Sequence, residues 1–73
     1  MKQIDPKQTI FEITSQHSEL IEILTELGFL GVKNPILRKT LGKKTSLIEG
    51  CKRQGKDIEE VRKKLKERGF NLL

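Results

Sequence analysis

The sequence predicts an all-α fold, a compact array of about five short helices that forms a single domain over residues 1–73. Two observations predict this class. Apolar residues recur at the 3.6-residue spacing of helices, and N-capping residues and glycines mark where the helical segments begin and end. No segment alternates apolar and polar residues with a period of two, so we expect no β-sheet.

The first two helices carry clear start and stop signals. Thr9 is followed three residues later by Glu12, the spacing of a capping box, so a brief helix should begin there. A second helix is predicted over about 18–27, where apolar residues fill a wide arc and glutamates lie opposite. Gly28 should end this helix in the left-handed conformation, and Phe29 follows as in a Schellman stop.

The third helix is predicted to begin at Asn34, an N-cap residue followed by Pro35 at the first helical position. Gly42 should close it. The N–H groups at its start should point outward, where they would suit a carboxylate or a phosphate. The apolar side of the helix, which we expect to be buried, consists of Ile36, Leu37, Thr40 and Leu41.

Two more helices complete the array. Ser46 and Glu49 have capping-box spacing and begin the fourth helix, which Gly55 should end. Asp57 and Glu60 have the same spacing and begin the fifth helix. The apolar residues expected on the inward faces of these two helices are Leu47, Ile48, Cys51, Ile58, Val61 and Leu65.

Composition excludes several classes of protein. With 73 residues the chain is too short for a second independent core, and its one cysteine cannot form an intramolecular disulfide. No apolar run approaches the roughly 18 residues of a membrane span, and the first residues lack the apolar stretch of a signal peptide. We therefore expect a cytoplasmic protein that does not associate with a membrane.

The sequence offers no group of residues suited to catalysis or to holding a cofactor. Cys51 lies on an inward helix face, where a free cysteine behaves as a small hydrophobe. His17 has no second metal ligand at a suitable spacing. The carboxylates occupy polar helix faces or capping positions, and no pair of them is set among apolar residues. We therefore expect no enzymatic activity, no metal and no cofactor.

Charge is divided unevenly along the chain. Residues 1–30 carry two lysines and five acids, whereas residues 31–73 carry thirteen basic residues and five acids. In the last helix, glutamates placed four residues before lysines neutralise part of the positive charge. The basic cluster over residues 33–44 contains no acid that could do the same. An anionic partner, either a nucleic acid or an acidic protein surface, would suit this half of the chain.

The order and spacing of these motifs resemble a small bacterial family, the domain of unknown function family numbered eighteen fifty-eight. The resemblance extends from about Ile4 to Leu65. It implies a five-helix fold, found either as a short protein or as the first module of a longer one, including some sensors. The segments that carry the resemblance are TIFEI at 9–13, ELIEIL at 19–24, LGF at 27–29, SLIEGC at 46–51 and GKDI at 55–58.

One branch of that family, described as a redox disulfide domain associated with hybrid-cluster protein, carries a Cys-x-x-Cys pair just after the second helix. Gly31 and Asn34 stand at those two positions in this sequence. Without two thiols there is no dithiol couple to cycle and no thiolate pair to bind a metal. The resemblance therefore implies a branch that has a Gly-x-x-Asn-Pro loop and lacks the redox site.

Two functions stand as hypotheses. The first is a non-enzymatic interaction module, in which the loop over residues 28–35 and the basic third helix contact a partner protein or a second copy of the chain. The second is weak, sequence-independent nucleic-acid binding by the cluster over residues 33–44, although no Tyr or Trp offers a stacking platform. The apolar loop residues would equally suit a role in the core. The candidate interaction residues are Phe29, Leu30, Val32, Lys33, Asn34, Arg38, Lys39, Lys43 and Lys44.

Overall fold

Five helices and two short strands make up the fold in the computed structural model, which describes residues 1–29 and 31–73. The predicted helical array is therefore confirmed. The elements in chain order are β1 (Lys2–Ile4), α1 (Ile10–Gln16), α2 (Glu19–Glu26), α3 (Pro35–Lys44), α4 (Leu47–Arg53), α5 (Ile58–Glu67) and β2 (Phe70–Leu72).

The expectation of no sheet is wrong, because the two ends of the chain pair as parallel strands. Lys2 lies opposite Phe70 and Ile4 lies opposite Leu72 in the register. The N–H of Leu73 extends the pairing by donating to the carbonyl of Ile4 at 2.9 Å. Strands of three residues are too short to display the alternation that identifies a strand in sequence. The pairing holds the N-terminus and the C-terminus together.

The hydrophobic core is continuous and draws on every element except α3. Its buried polar side chains include Thr14, whose hydroxyl donates to the carbonyl of Ile10 at 2.8 Å. Burial of apolar surface is the main stabilising contribution in a chain that has no disulfide. The buried apolar residues are Ile4, Ile10, Ile13, Leu20, Ile23, Leu24, Phe29, Val32, Leu47, Cys51, Val61, Leu65, Phe70 and Leu72.

The N-terminal caps mostly follow the predicted pattern. Thr9 and Glu12 form a reciprocal capping box at the start of α1. At the start of α4 only half of the predicted box forms: the hydroxyl of Ser46 accepts the N–H of Glu49 at 3.1 Å, but the Glu49 carboxylate bonds that hydroxyl and not the backbone N–H of Ser46. The cap of α5 differs from the prediction. The Asp57 carboxylate accepts the N–H of Glu59 at 2.9 Å, and the predicted capping box with Glu60 does not form. Side chains thus occupy donors that the starts of α1, α4 and α5 would otherwise leave unpaired, whereas Ser18 makes no such bond at the start of α2.

The end of α2 is a complete Schellman motif, as predicted. Gly28 has a φ of 93° and its N–H donates to the carbonyl of Thr25 at 3.0 Å. The N–H of Phe29 reaches back to the carbonyl of Leu24, also at 3.0 Å. These are the two bonds that define the motif, and they turn the chain toward residues 31–34 with the Phe29 ring inside the core.

The third helix departs most from the prediction. It continues past Gly42 to Lys44, and Gly42 is its one buried residue. An added Cβ on Gly42 would lie 3.5 Å from the Phe11 backbone nitrogen, so the glycine lets α3 lie close against α1. With the Gly42 side of the helix turned inward, the residues predicted to be buried face solvent. Exposed fractions are 70% for Ile36, 38% for Leu37 and 57% for Leu41, and Thr40 is also exposed.

Candidate functional site

Residues 31–34, just before α3, are tied to one another and to α3 by hydrogen bonds and a close contact. Gly31 has a φ of 78°, a region that favours glycine, and its carbonyl accepts the N–H of Asn34 at 3.1 Å. A Cβ added at Gly31 would lie 2.9 Å from Cδ1 of Leu37. The Arg38 guanidinium then donates to the carbonyl of Val32 at 2.7 Å and ties the helix back to the loop. Contacts with residues 31 and 32 therefore position the side chains of Leu37 and Arg38.

Replacing Gly31 with alanine should lower the free energy of unfolding by about 1–3 kcal/mol, mainly because the positive φ opposes a Cβ, and in addition because the Cδ1 methyl of Leu37 would have to move aside. Gly55→Ala is the matched control. Gly55 also has a positive φ, of 66°, but no atom lies within 4 Å of an added Cβ, so its cost should be the smaller of the two. Urea denaturation of both variants measures the difference, and equal losses would contradict the close packing of Leu37 on the loop.

The start of α3 does not offer the anion site that the sequence suggested. The Asn34 side-chain oxygen accepts the N–H groups of Ile36 at 2.9 Å and Leu37 at 3.3 Å. The N–H of Arg38 donates to the Asn34 carbonyl, and Pro35 has no N–H. The expected outward N–H groups are therefore already occupied, and the prediction of an anion site there is wrong.

Two of the candidate interaction residues, Phe29 and Val32, are not on the surface, which agrees with the alternative that the apolar loop residues belong to the core. Phe29 and Val32 are buried in the hydrophobic core, so neither side chain projects from the surface of the protein. The Schellman stop turns Phe29 inward, and the turn that follows directs Val32 to the same core. Leu30, the third apolar candidate, lies outside the described residues.

The exposed side of α3 combines apolar and basic residues, and we call it the α3 face: Ile36, Leu37, Lys39, Leu41, Lys43 and Lys44. The Lys43 ammonium lies 4.9 Å from the centre of the Phe11 ring, a cation–π distance. Within residues 1–29 and 31–73, none of the three lysines of this face forms a salt bridge. The sequence has no acid between Glu26 and Glu49, so no carboxylate lies near them along the chain.

The acidic side of the molecule is, in contrast, balanced internally. Each of the three glutamates on α2 has a basic partner from another part of the chain. Lys2 pairs with Glu19 at 3.0 Å, and the candidate residue Lys33 pairs with Glu22 at 3.6 Å. Arg68 pairs with Glu26 in the same way. The acids of α2 are therefore not free to neutralise the lysines of the α3 face, and Lys33 is less available to a partner than its position in the sequence indicates.

A pocket of about 160 Å³ adjoins the α3 face, between α3, α4 and the loop over residues 31–34. We call it the α3–α4 pocket. Three glycines, Gly31, Gly42 and Gly50, contribute to its walls, and their lack of side chains leaves the space open. The larger side chains that line it are Ile10, Val32, Leu37, Leu41, Arg38, Arg53 and Gln54.

Both arginines of the α3–α4 pocket are anchored to its walls. The Arg38 guanidinium holds the Val32 carbonyl, and the Arg53 guanidinium donates to the Thr45 hydroxyl at 3.3 Å. Arg53 also lies 4.0 Å from Glu49, but its side chain stays 64% exposed. A guanidinium has five N–H donors, so each arginine retains donors for a further acceptor such as a carboxylate. The pocket therefore combines apolar walls with two fixed positive charges.

A second and larger depression, of about 670 Å³, lies between the end of α2 and α5. Four acids and three lysines line it, so its charges largely cancel. The residues concerned are Glu26, Asp57, Glu60, Glu67, Lys56, Lys63 and Lys64. It lacks the uncompensated positive charge of the α3 face, so we take the α3 face and the adjoining pocket as the candidate site.

The residues with the most reactive side chains lie elsewhere. Cys51 is buried in the core, as predicted, and burial raises the pKa of its thiol. His17 ends α1, and its ring packs edge-on against Phe70 with ring centres 5.4 Å apart. Within the described ranges no three His, Cys, Asp or Glu side chains are grouped to hold a metal ion. Nor does any helix in residues 1–29 and 31–73 have the length and apolar character of a bilayer crossing.

Sequence reasoning found the basic residues of this site but missed its apolar ones. Leu37 and Leu41 were assigned to the core, and Arg53, on the next helix, was not connected with the cluster. One signal could have exposed the error. Gly42 lies one residue after Leu41 and so on a different side of α3, and a glycine inside a helix often marks close packing.

The fold and the site together define a small helical module with one helix whose apolar side is left uncovered. Residues 4–61 match the family described as Domain of unknown function (DUF1858), and because this is most of the chain, the protein belongs to that family. It is also similar to a solved structure, described as the crystal structure of the conserved domain protein from Streptococcus pneumoniae TIGR4. The two share 34% sequence identity and a TM-score of 0.94, over 100% of this chain and 92% of the other. No curated protein matches the chain.

Proposed function

We propose that this protein is a non-enzymatic interaction module that binds a partner protein through the α3 face. The observation that supports the proposal most is the uncovered side of α3, where Ile36, Leu37 and Leu41 remain exposed on the same helix as three lysines that form no salt bridge within residues 1–29 and 31–73. Contiguous apolar exposure on a small domain is a mark of interaction surfaces. Exposure of these apolar side chains to water is unfavourable, and no other element of the described part of the chain covers them.

A second copy of the chain is a poor occupant of this surface. Two α3 faces brought together around a two-fold axis would place Lys39, Lys43 and Lys44 near their own copies, and like charges repel. Docking of α3 onto the acidic α2 of another copy gains little, because the α2 glutamates already have basic partners. The charge pattern therefore favours a different protein that carries acids.

Nucleic-acid binding through the same basic cluster is the second candidate function. The stretch without acids between Glu26 and Glu49 favours it, since phosphates supply dense negative charge. Three exposed apolar side chains beside the lysines favour protein over nucleic acid, because a phosphate backbone offers them no apolar partner.

Capture experiments with matched charge reversals test the proposal. One variant combines Lys39→Glu, Lys43→Glu and Lys44→Glu on the α3 face, and its control combines Lys63→Glu, Lys64→Glu and Lys66→Glu on α5. Each variant reverses three exposed lysines, so the two change the net charge by the same amount, and far-UV circular dichroism checks that both fold. A protein retained from nuclease-treated extract and then purified should bind wild type and the α5 variant, and should bind the α3 variant at least about tenfold more weakly.

The same variants separate the two candidate functions. If the second function holds, fluorescence anisotropy with duplex DNA should show binding that falls steeply with salt and is lost selectively in the α3 variant. If the first holds, DNA binding should be weak and similar in both variants. Equal retention of the purified partner by the two variants would contradict the proposed surface.

A further inference from the structure

We infer that the α3–α4 pocket receives one large apolar side chain from an acidic, amphipathic segment of the partner, while Arg38 and Arg53 bind carboxylates beside that side chain. The inference rests on the proposed function and adds the chemistry of the partner and the place where it is anchored. It draws on the volume of the pocket, the nature of its walls and the distribution of charge around it.

The volume of the pocket indicates an anchor side chain rather than a cofactor. Pockets for drug-sized ligands and cofactors measure about 300–1,000 Å³, well above the 160 Å³ found here. A cavity of about 150 Å³ accommodates a single benzene ring. A phenylalanine or leucine side chain from a partner is therefore the occupant that suits this space.

The walls of the pocket favour an apolar anchor with an acid next to it. Ile10, Val32, Leu37 and Leu41 supply apolar contact surface, and none of the four carries a group that would need a polar partner. Arg38 and Arg53 line the same space with guanidinium groups already positioned by the Val32 carbonyl and the Thr45 hydroxyl. Preorganised arginines lose less freedom on binding a carboxylate than flexible lysines do.

The lysines around the pocket extend the same preference. Lys39, Lys43 and Lys44 carry positive charge along α3, and no acid lies nearby in the sequence to compete for a partner carboxylate. A helix with acids along one side and apolar residues three or four positions apart would place both kinds of side chain against this surface. The surface therefore suits an acidic amphipathic helix laid along α3 with one residue in the pocket.

A pair of labelled peptides and a pair of variants test this inference. The probe is a fluorescein-labelled peptide of about four helical turns, rich in glutamate, with a phenylalanine and a leucine four residues apart. The control peptide has alanine in place of the phenylalanine. Wild type should bind the probe at least about tenfold more tightly than the control, a difference equal to about 1.4 kcal/mol.

The variants are Leu41→Asp, which places a charge in the pocket wall, and Ile36→Asp, which makes the same change on α3 away from the pocket. Both positions are exposed, so both variants should fold, and far-UV circular dichroism checks this. Leu41→Asp should abolish the preference for the probe over the control peptide. Ile36→Asp should lower the affinity for both peptides to a similar extent and retain the preference for the probe over the control peptide.

The outcomes separate this inference from the function on which it rests. The role of the pocket is overturned if wild type binds the two peptides with equal affinity, or if both variants lose the preference equally. Either result leaves the binding of an acidic partner at the α3 face intact. If neither peptide binds the wild-type protein, the proposal of an acidic partner is itself overturned. A preference that Leu41→Asp removes and Ile36→Asp keeps supports the inference.

Discussion

Replacing Phe70 with alanine should lower the free energy of unfolding by about 3–5 kcal/mol, the usual cost of removing a buried aromatic ring. Phe70 is 1% exposed and begins β2, where it lies opposite Lys2 in the parallel sheet. The His17 ring packs edge-on against it and the Lys2 ammonium lies 5.6 Å from its centre. Its loss therefore removes core volume and loosens the pairing of the two chain ends.

A loss of this size approaches the whole stability expected of a 73-residue chain, at about 0.05–0.15 kcal/mol per residue. Phe70→Leu should retain more of the volume and keep enough folded protein for measurement. Leu41→Ala is the surface control and should change stability by less than about 0.5 kcal/mol. Urea denaturation followed by circular dichroism measures all three. A similar loss for Phe70→Ala and Leu41→Ala would contradict the described core.

The thiol of Cys51 should react with an aromatic disulfide reagent at least about a thousandfold more slowly in the native protein than in the unfolded chain. Cys51 is buried beside Leu47 on α4, and a reagent reaches it only when the structure opens. A thousandfold corresponds to an opening free energy of about 4 kcal/mol, within the range for small domains. Labelling in native buffer and in urea measures the ratio.

The pH dependence of this thiol has a definite sign. Burial raises the pKa of Cys51 in the folded state, so in alkaline solution the unfolded chain loses that proton first. The contribution of Cys51 to stability is therefore complete below the ordinary thiol pKa and declines as the pH rises above it. Rapid labelling of the native protein near neutral pH would contradict the buried, structural role of Cys51.

Local signals in the sequence predict the helices well, because each is decided within a few residues. Thr9 with Glu12 and Gly28 with Phe29 form the capping box and the Schellman stop that their spacing indicates. These hydrogen bonds depend on neighbours no more than five residues apart, so no tertiary information is needed to foresee them. The inward position of Cys51 follows equally from helical periodicity.

The sheet escapes the same reasoning because it joins the two ends of the chain. Lys2 and Phe70 are almost the full length of the sequence apart, and strands of three residues carry no periodic signature of their own. Only the fold of the intervening helices brings them together. Pairings of such long sequence separation are decided by the tertiary structure rather than by local preference.

The sequence predicts the basic residues of the candidate site but not its apolar ones, for a related reason. Clustered charge is visible in sequence, so Lys39, Lys43 and Lys44 could be identified directly. Periodicity shows that α3 has an apolar side, but it does not show whether anything within the chain covers that side. The close approach of Gly42 to Phe11 decides the orientation of α3, and it leaves Leu37 and Leu41 exposed at the α3–α4 pocket.

Amide chemical-shift mapping of the ¹⁵N-labelled protein, titrated with the glutamate-rich peptide that contains phenylalanine and leucine, tests the central claim most directly. Saturable shifts should concentrate at the α3 face and at Gly31 and Gly50 in the pocket walls, while the amides of α5 stay unchanged. Shifts centred instead on the mixed-charge depression between α2 and α5, or spread evenly over the basic surface, would contradict binding at α3.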